Sequence, residues 1–190
     1  MEHFKRSIVS LLIEIMAADG IDIRLVYERS DARERDKEGL PRFKGVIWTI
    51  DDAYKARIGN NEFSHEAELT PIETEITENG VKYIVDVVNG QKTGFFLDQK
   101  YNRNAIKRLC EGKRVLDCFT HMGTFALNAG LAGAEDVLGL DISEFAVAQA
   151  TRNAELNGLS DSVKFRTANV LDELPKLYEA GEQYDVVILD

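Results

Sequence analysis

The stretch KRVLDCFTHMGTF, residues 113–125, constrains the fold of this chain more than any other. Val115 and Leu116 form a short apolar run suited to a strand buried on both faces, and the run ends in Asp117 and a loop containing Gly123. Phe125, Ala126, Leu127, Ala129 and Leu131 then predict a helix of small and apolar residues, with Thr124 as its N-cap. Strand, tight loop and helix in this order open a doubly wound α/β fold.

Residues 136–141, DVLGLD, predict a second strand ending in an acid. That acid, Asp141, falls close to the roughly 20-residue spacing at which a carboxylate meets the ribose hydroxyls of an adenosine-type ligand. The loop itself has one glycine, with Phe119 and Met122 where a dinucleotide fingerprint requires glycines. Close approach of a pyrophosphate is therefore disfavoured, and with it NAD and FAD. S-adenosylmethionine carries no phosphate and presents an α-amino acid end to the loop. For it, an acid after the first strand and one glycine suffice, and the residues point to a methyltransferase.

The flanking sequence fills in the sheet. Ser143 is placed to cap a helix over 144–156 that Asn157-Gly158 ends, residues 163–166 predict a third strand, and 184–190, YDVVILD, a fourth that is apolar on both faces. Upstream, Asp98 is expected to cap a helix carrying Asn102, Arg103, Ile106, Leu109 and Cys110. The fold class is thus α/β, a partial Rossmann-like sheet of its first four strands over residues 91–190.

Residues 1–90 read as a small, incomplete α+β domain. Phe4, Ile8, Leu11, Leu12 and Ile15 recur at helical spacing. A strand is predicted over 21–27, a short charged helix capped by Ser30-Asp31 runs to Glu38, and 45–50 predicts another strand. Residues 51–65 show no clean period, and His65 reads as a surface histidine because no second ligand stands at metal spacing. Asn79-Gly80 between 75–78 and 81–86 is the strongest short hairpin signal, assigned to this domain, with the junction at 88–94. The unpartnered first helix and the strand at which the chain stops suggest a piece of a longer protein, whose open sheet would pair with a second copy as a homodimer or aggregate.

With 44% apolar residues over 190 positions the chain can bury a proper core, and no leader or 18-residue apolar run directs it to a membrane or the secretory route. A cytoplasmic location with Cys110 and Cys118 as reduced thiols follows. The net charge of −10 lacks the basic footprint of a nucleic-acid modifier. Either an RNA contact lies elsewhere in a longer protein, or the substrate is not RNA.

The segments QKTGFFLDQ, VLDCFTHMGTFAL, GLDIS, NAELNGL and YDVVILD occur in that order, preceded by YERSDA, KEGL and TENGVKYIVD. In series they resemble the S-adenosylmethionine-dependent methyltransferases of the ribosomal RNA large-subunit methyltransferase I type, over nearly the whole chain. The resemblance implies a ribosomal RNA substrate, bound largely through regions outside this chain, with carbon 5 of a cytosine as the leading target. That chemistry calls for a cysteine attacking carbon 6. Cys118, under the cofactor, reads as packing, so the catalytic residue is expected beyond Asp190. A methyltransferase for a small molecule or protein, and a non-catalytic nucleotide-binding module, are the alternatives.

For cofactor binding the resemblance places Phe96 and Gln99 over the ligand, with Gln99 at its methionine end. Asp117 and Asp190, ending adjacent strands, should bracket that end, with Phe119, Thr120 and Gly123 in the first loop. Asp141 is assigned to the ribose hydroxyls, and Asn169 to the adenine, standing where the family has an aspartate that accepts from the adenine amino group. Their neighbours Ile142 and Val170 are also expected to bind the cofactor. Arg103 is expected to pair either with a cofactor carboxylate or with Asp98.

Overall fold

The computed structural model describes residues 4–50, 72–91 and 94–190; the reading of 51–65, and His65 with it, lies outside the described residues. The chain divides into two compact units, Met1–Ile72 and Glu73–Asp190.

In the first unit, α1 (Lys5–Ala18) carries the predicted apolar stripe, with Ile8, Leu11, Leu12 and Ile15 all exposed. β1 (Leu25–Ser30) and β2 (Phe43–Thr49) pair antiparallel, with a bulge between Val26 and Tyr27. β1 starts later than the predicted 21–27 because its pairing with β2 begins at Leu25 opposite Thr49. The predicted helix over 31–38 shrinks to one turn, α2 (Glu34–Lys37), without a side-chain cap. Ser30 instead lies in β1, where its hydroxyl donates to Glu28 Oε1 at 2.7 Å. Lys5 reaches the same oxygen at 2.7 Å and ties α1 to β1.

The second unit opens with a hairpin, β3 (Glu73–Glu78) and β4 (Val81–Asp86). Asn79 at φ 55° and Gly80 at φ 83° both take the left-handed conformation that its two-residue turn requires. Four parallel strands follow: β5 (Arg114–Cys118), β6 (Asp136–Asp141), β7 (Val163–Thr167) and β8 (Val186–Leu189). Their spatial order is β7-β6-β5-β8. The helices are α3 (Lys100–Ile106), α4 (Thr124–Leu131), α5 (Glu144–Leu156) and α6 (Val170–Glu179). This is the partial Rossmann-like sheet that the sequence predicts. Val115, Leu116, Asp117 and Cys118 are all buried, which is why central β5 shows no polar alternation. In β8 Ile188 is buried, whereas Val187 and Leu189 are exposed.

The hairpin packs in this second unit, whereas the sequence reading set it with the N-terminal domain and placed the junction at 88–94. Val81, Tyr83 and Val85 enter one apolar core with Phe125, Leu127 and Val137. The outer edge of β4 is closed by asparagines of α5. Ile84 N donates to Asn153 Oδ1 at 2.8 Å and Lys82 N to Asn157 Oδ1 at 2.9 Å, while Asn157 Nδ2 donates to Lys82 O at 2.7 Å. Two side chains thereby do what a further strand would do for an exposed edge.

Chain order builds the site. The sheet grows from β5 through β6 to β7 on one side, then returns to add β8 on the other. The carboxyl ends of β5 and β8 therefore flank a topological switch point, where an open α/β sheet leaves a crevice.

Candidate functional site

An open pocket of about 770 Å³ occupies that crevice. Phe119, Thr120 and His121 from the β5–α4 loop line it, with Asp141, Ile142 and Ser143 after β6, Phe145 and Ala146 in the first turn of α5, and Asp190 after β8. Phe96, Asp98 and Gln99 before α3 close another side, together with Arg103, Asn89 and Gln91.

The β5–α4 loop is tight. Phe119 at φ 60° and His121 at φ 51° are left-handed without being glycine, and Gly123 at φ 81° begins α4. A Cβ on Gly123 would lie 2.6 Å from Phe165 Cζ, so glycine is required by space as well as by φ. Gly123 is thus behind the loop, packed on Phe165, and is not a lining residue.

The predicted cap of this helix is corrected. Thr124 is the first helical residue, and the N-terminus is capped from the strand: Ala126 N donates to Asp117 Oδ2 at 3.0 Å, and Thr120 Oγ1 donates to the same oxygen at 2.5 Å. Asp117 is buried beneath the pocket floor. Burial pushes its carboxyl up to about 7; the Thr120 and Ala126 hydrogen bonds oppose this, and the charges of Asp190 and Asp141 add to it.

Asp141 ties two loops together, accepting from His121 N through Oδ2 at 2.8 Å and from Ser143 N through Oδ1 at 2.9 Å. Ser143 caps α5 as predicted, its hydroxyl accepting from Ala146 N at 3.2 Å. Gln99 and Asp190 also meet across the pocket, Gln99 Nε2 donating to Asp190 Oδ1 at 3.1 Å, while Asn102 Nδ2 holds Gln99 Oε1 at 2.6 Å. The expected cap by Asp98 is absent, because a 3₁₀ turn, Leu97–Gln99, leads into α3.

Asn169 and Val170 are placed differently from the other candidates, and neither lines the pocket. Asn169 caps α6, its Oδ1 accepting from Leu171 N at 3.1 Å and its Nδ2 donating to Asp172 Oδ2 at 2.9 Å. Val170 is buried with Leu116, Cys118 and Leu140. Cys118 packs in that cluster, and burial, with the neighbouring Asp117, raises its thiol pKa. Arg103 does not pair with Asp98, the expected partner within the chain. Its guanidinium meets Glu78 of the hairpin, Nε to Oε1 at 2.6 Å and Nη2 to Oε2 at 3.0 Å.

His121 and Phe145 are lining residues that the sequence reading did not select. His121 lay inside the stretch singled out first, but its left-handed loop position only shows in three dimensions. Burial holds its imidazole below the ordinary histidine range, against the pull of Asp141. The lining therefore carries the carboxylates of Asp98, Asp141 and Asp190, while among the described residues Arg103 is its only lysine or arginine and is committed to Glu78. Such a pocket suits a cation with hydroxyls and disfavours a phosphate.

A parallel sheet with this switch-point crevice, a one-glycine loop and acids ending the first, second and fourth strands defines a class I, nucleoside-cofactor α/β domain. The chain belongs to the S-adenosylmethionine-dependent methyltransferase family, whose model matches residues 51–190. It is similar to ribosomal RNA large subunit methyltransferase I of Aeromonas salmonicida, 42% identical over 166 residues that cover 87% of this chain and 37% of that protein. The enzyme of the same name from Shewanella amazonensis is 37% identical over 190 residues, covering 100% of this chain and 42% of that protein. The chain spans about two fifths of the length of these relatives. Among solved structures, the SAM-dependent methyltransferase from Agrobacterium tumefaciens superposes with a TM-score of 0.57 at 25% identity, covering 66% of this chain and 41% of that one. The cofactor that the sequence reading assigned is the one that the family description names. Among the described residues no helix is long and apolar enough to cross a membrane.

Proposed function

We propose that this pocket binds S-adenosylmethionine and serves methylation of a base in large-subunit ribosomal RNA, with carbon 5 of a cytosine as the target. The observation that carries the cofactor reading is the acidic lining: Asp98, Asp141 and Asp190 surround a space in which, among the described residues, the one arginine is already paired. Bound there, the cofactor supplies an electrophilic methyl group on a sulfonium.

The chain's own residues do the positioning. Each Asp141 oxygen accepts one backbone amide and retains a lone-pair site for a ribose hydroxyl. Gln99 and Asp190, linked to each other, offer an amide and a carboxylate to the amino acid end. Phe96, Phe119 and Ile142 bring apolar surface to the pocket, and neutral His121 adds no charge that would repel a sulfonium. Asp117 acts from below by fixing Thr120 and the start of α4. Asn169 and Val170 support the adenine side from α6 rather than from the lining. Buried Cys118, with its thiol held neutral, is unsuited to attack a pyrimidine, so the nucleophile is sought elsewhere.

The RNA substrate is supported by the names of the relatives, and a cytoplasmic location belongs to the same reading. The net charge of −10 favours the second reading, a methyltransferase for a small molecule or protein. Nucleoside mass spectrometry on large-subunit RNA from cells lacking the gene decides between them: the RNA reading expects loss of one 5-methylcytidine. Unchanged ribosomal RNA overturns it in favour of the second. Calorimetric titration of the chain with S-adenosylmethionine tests the cofactor independently.

A further inference from the structure

The pocket wall formed by Phe96, Asp98 and Gln99 is held from outside the sheet. Arg103, almost wholly buried, spans from Glu78 to that wall: beyond its two bonds to the carboxylate, its Nη2 donates to the carbonyl oxygen of Phe96 at 2.7 Å. Its guanidinium also lies over the Phe95 ring, 4.9 Å from the centroid, and Phe95 in turn contacts Tyr83 of β4 at 5.1 Å. The turn beside Glu78 is fastened to the same helix. Asn79 Nδ2 donates to Lys100 O at 2.9 Å, and Lys107 Nζ donates to Asn79 O. At the far end, the Phe96 ring meets the His121 imidazole edge to face, 5.3 Å between centroids at 81°. An unbroken series of contacts thus runs from the hairpin tip to the loop after β5.

A buried ion pair is a poor source of stability, since two apolar side chains of similar volume commonly do as well or better. An apolar pair, however, could not donate to the Phe96 carbonyl. Only the planar fork of arginine, with donors fixed in several directions, serves a carboxylate and a backbone oxygen at once. Lysine at this position would offer a point charge and lose the second function.

We propose that Glu78 and Arg103 are positioning residues of the cofactor site: through the Phe96 carbonyl they hold the Phe96 ring against His121, and with it the wall over the bound ligand. This rests on the S-adenosylmethionine reading of the pocket. It assigns the hairpin, remote from the strand ends, a role in ligand affinity.

The test uses the whole chain with Arg103→Lys, Phe96→Leu and the double variant, and Glu78→Gln as a milder change should Arg103→Lys fail to fold. Two readouts are taken. Proton NMR follows the His121 imidazole resonances, assigned by their loss in His121→Gln, and calorimetry gives the S-adenosylmethionine Kd. Arg103→Lys, or Glu78→Gln in its place, is expected to move the His121 resonances toward those of a free imidazole and to raise Kd about tenfold, the loss of one charge-assisted contact. In the Phe96→Leu background the same substitution should change Kd by less than about twofold, because both act through one ring. Folded variants with unmoved His121 resonances, or effects of Arg103→Lys and Phe96→Leu that multiply, overturn the proposal and leave the pair a purely structural one. A wild-type chain that fails to bind S-adenosylmethionine removes the cofactor reading and the affinity role with it, whereas the NMR arm still decides whether Arg103 sets Phe96.

Discussion

Replacing Asp117 by asparagine tests how the floor of the site is charged. The folded carboxyl titrates at about 7, mainly because burial penalises its ionised form, and in the unfolded chain it returns to its ordinary 3.8. The folded protein therefore keeps a proton that the unfolded chain has released anywhere between these values. Its contribution to stability is fully present below pH 3.8 and is lost as pH rises through about 7. At about 1.4 kcal/mol per pH unit, the window amounts to roughly 4 kcal/mol, of which about 2 to 3 kcal/mol falls between pH 5 and pH 8. Asparagine has the same shape, still presents an oxygen to Thr120 and Ala126, and does not titrate. The difference in unfolding free energy between Asp117→Asn and wild type should therefore shift by about 2 to 3 kcal/mol in favour of the variant between those two pH values. Urea unfolding followed by far-ultraviolet circular dichroism suits this, since it reads the helices and strands of the second unit directly, and the chain's tryptophan, Trp48, lies in the first. Carboxylates that do not interact with Asp117 cancel in the difference. A constant difference from pH 5 to pH 8 would refute the buried, proton-retaining Asp117.

Gly123→Ala should cost about 2 to 5 kcal/mol by thermal unfolding, combining a left-handed backbone with a Cβ 2.6 Å from Phe165. Gly181→Ala, at φ 74° with nothing within 4 Å, should cost only about 1 to 2 kcal/mol; equal losses at both positions would contradict the packing argument. Asn153→Ala leaves Ile84 N without its partner and should destabilise by about 1 to 3 kcal/mol, with faster hydrogen exchange at Ile84; unaltered exchange there would show that α5 does not close the hairpin edge. Asp141→Ala should weaken S-adenosylmethionine binding by about 1 to 3 kcal/mol in calorimetry, and a folded variant of unchanged affinity would remove the ribose assignment.

The elements read correctly from sequence share one property: their signal lies within a few residues. Asn79-Gly80 needs only its own two φ angles to define the hairpin. Ser143 needs only the amide of Ala146 to start α5, and β5 to β8 are short apolar runs that two covered faces demand. The acids at 117, 141 and 190 were legible because strand ends fix where they fall in an α/β sheet. What failed locally was partner choice. Ser30 and Thr124 have cap-forming side chains, yet pairing across β1–β2 took the first and a carboxylate from the preceding strand displaced the second. Asn169 was read for a ligand role alone, yet its Oδ1 also accepts from Leu171 N and caps α6, a local bond that its position before Val170 allows. Arg103 lies one turn from Asp98 and Gln99, yet it bonds to Glu78, which arrives on a hairpin whose docking is decided by Tyr83, Val85 and two asparagines of α5. Sequence fixes which groups need a partner, through periodicity and turn chemistry. Which partner each one meets is set by burial, because a desolvated charge or amide must bond to whatever group the packed core brings within about 3 Å.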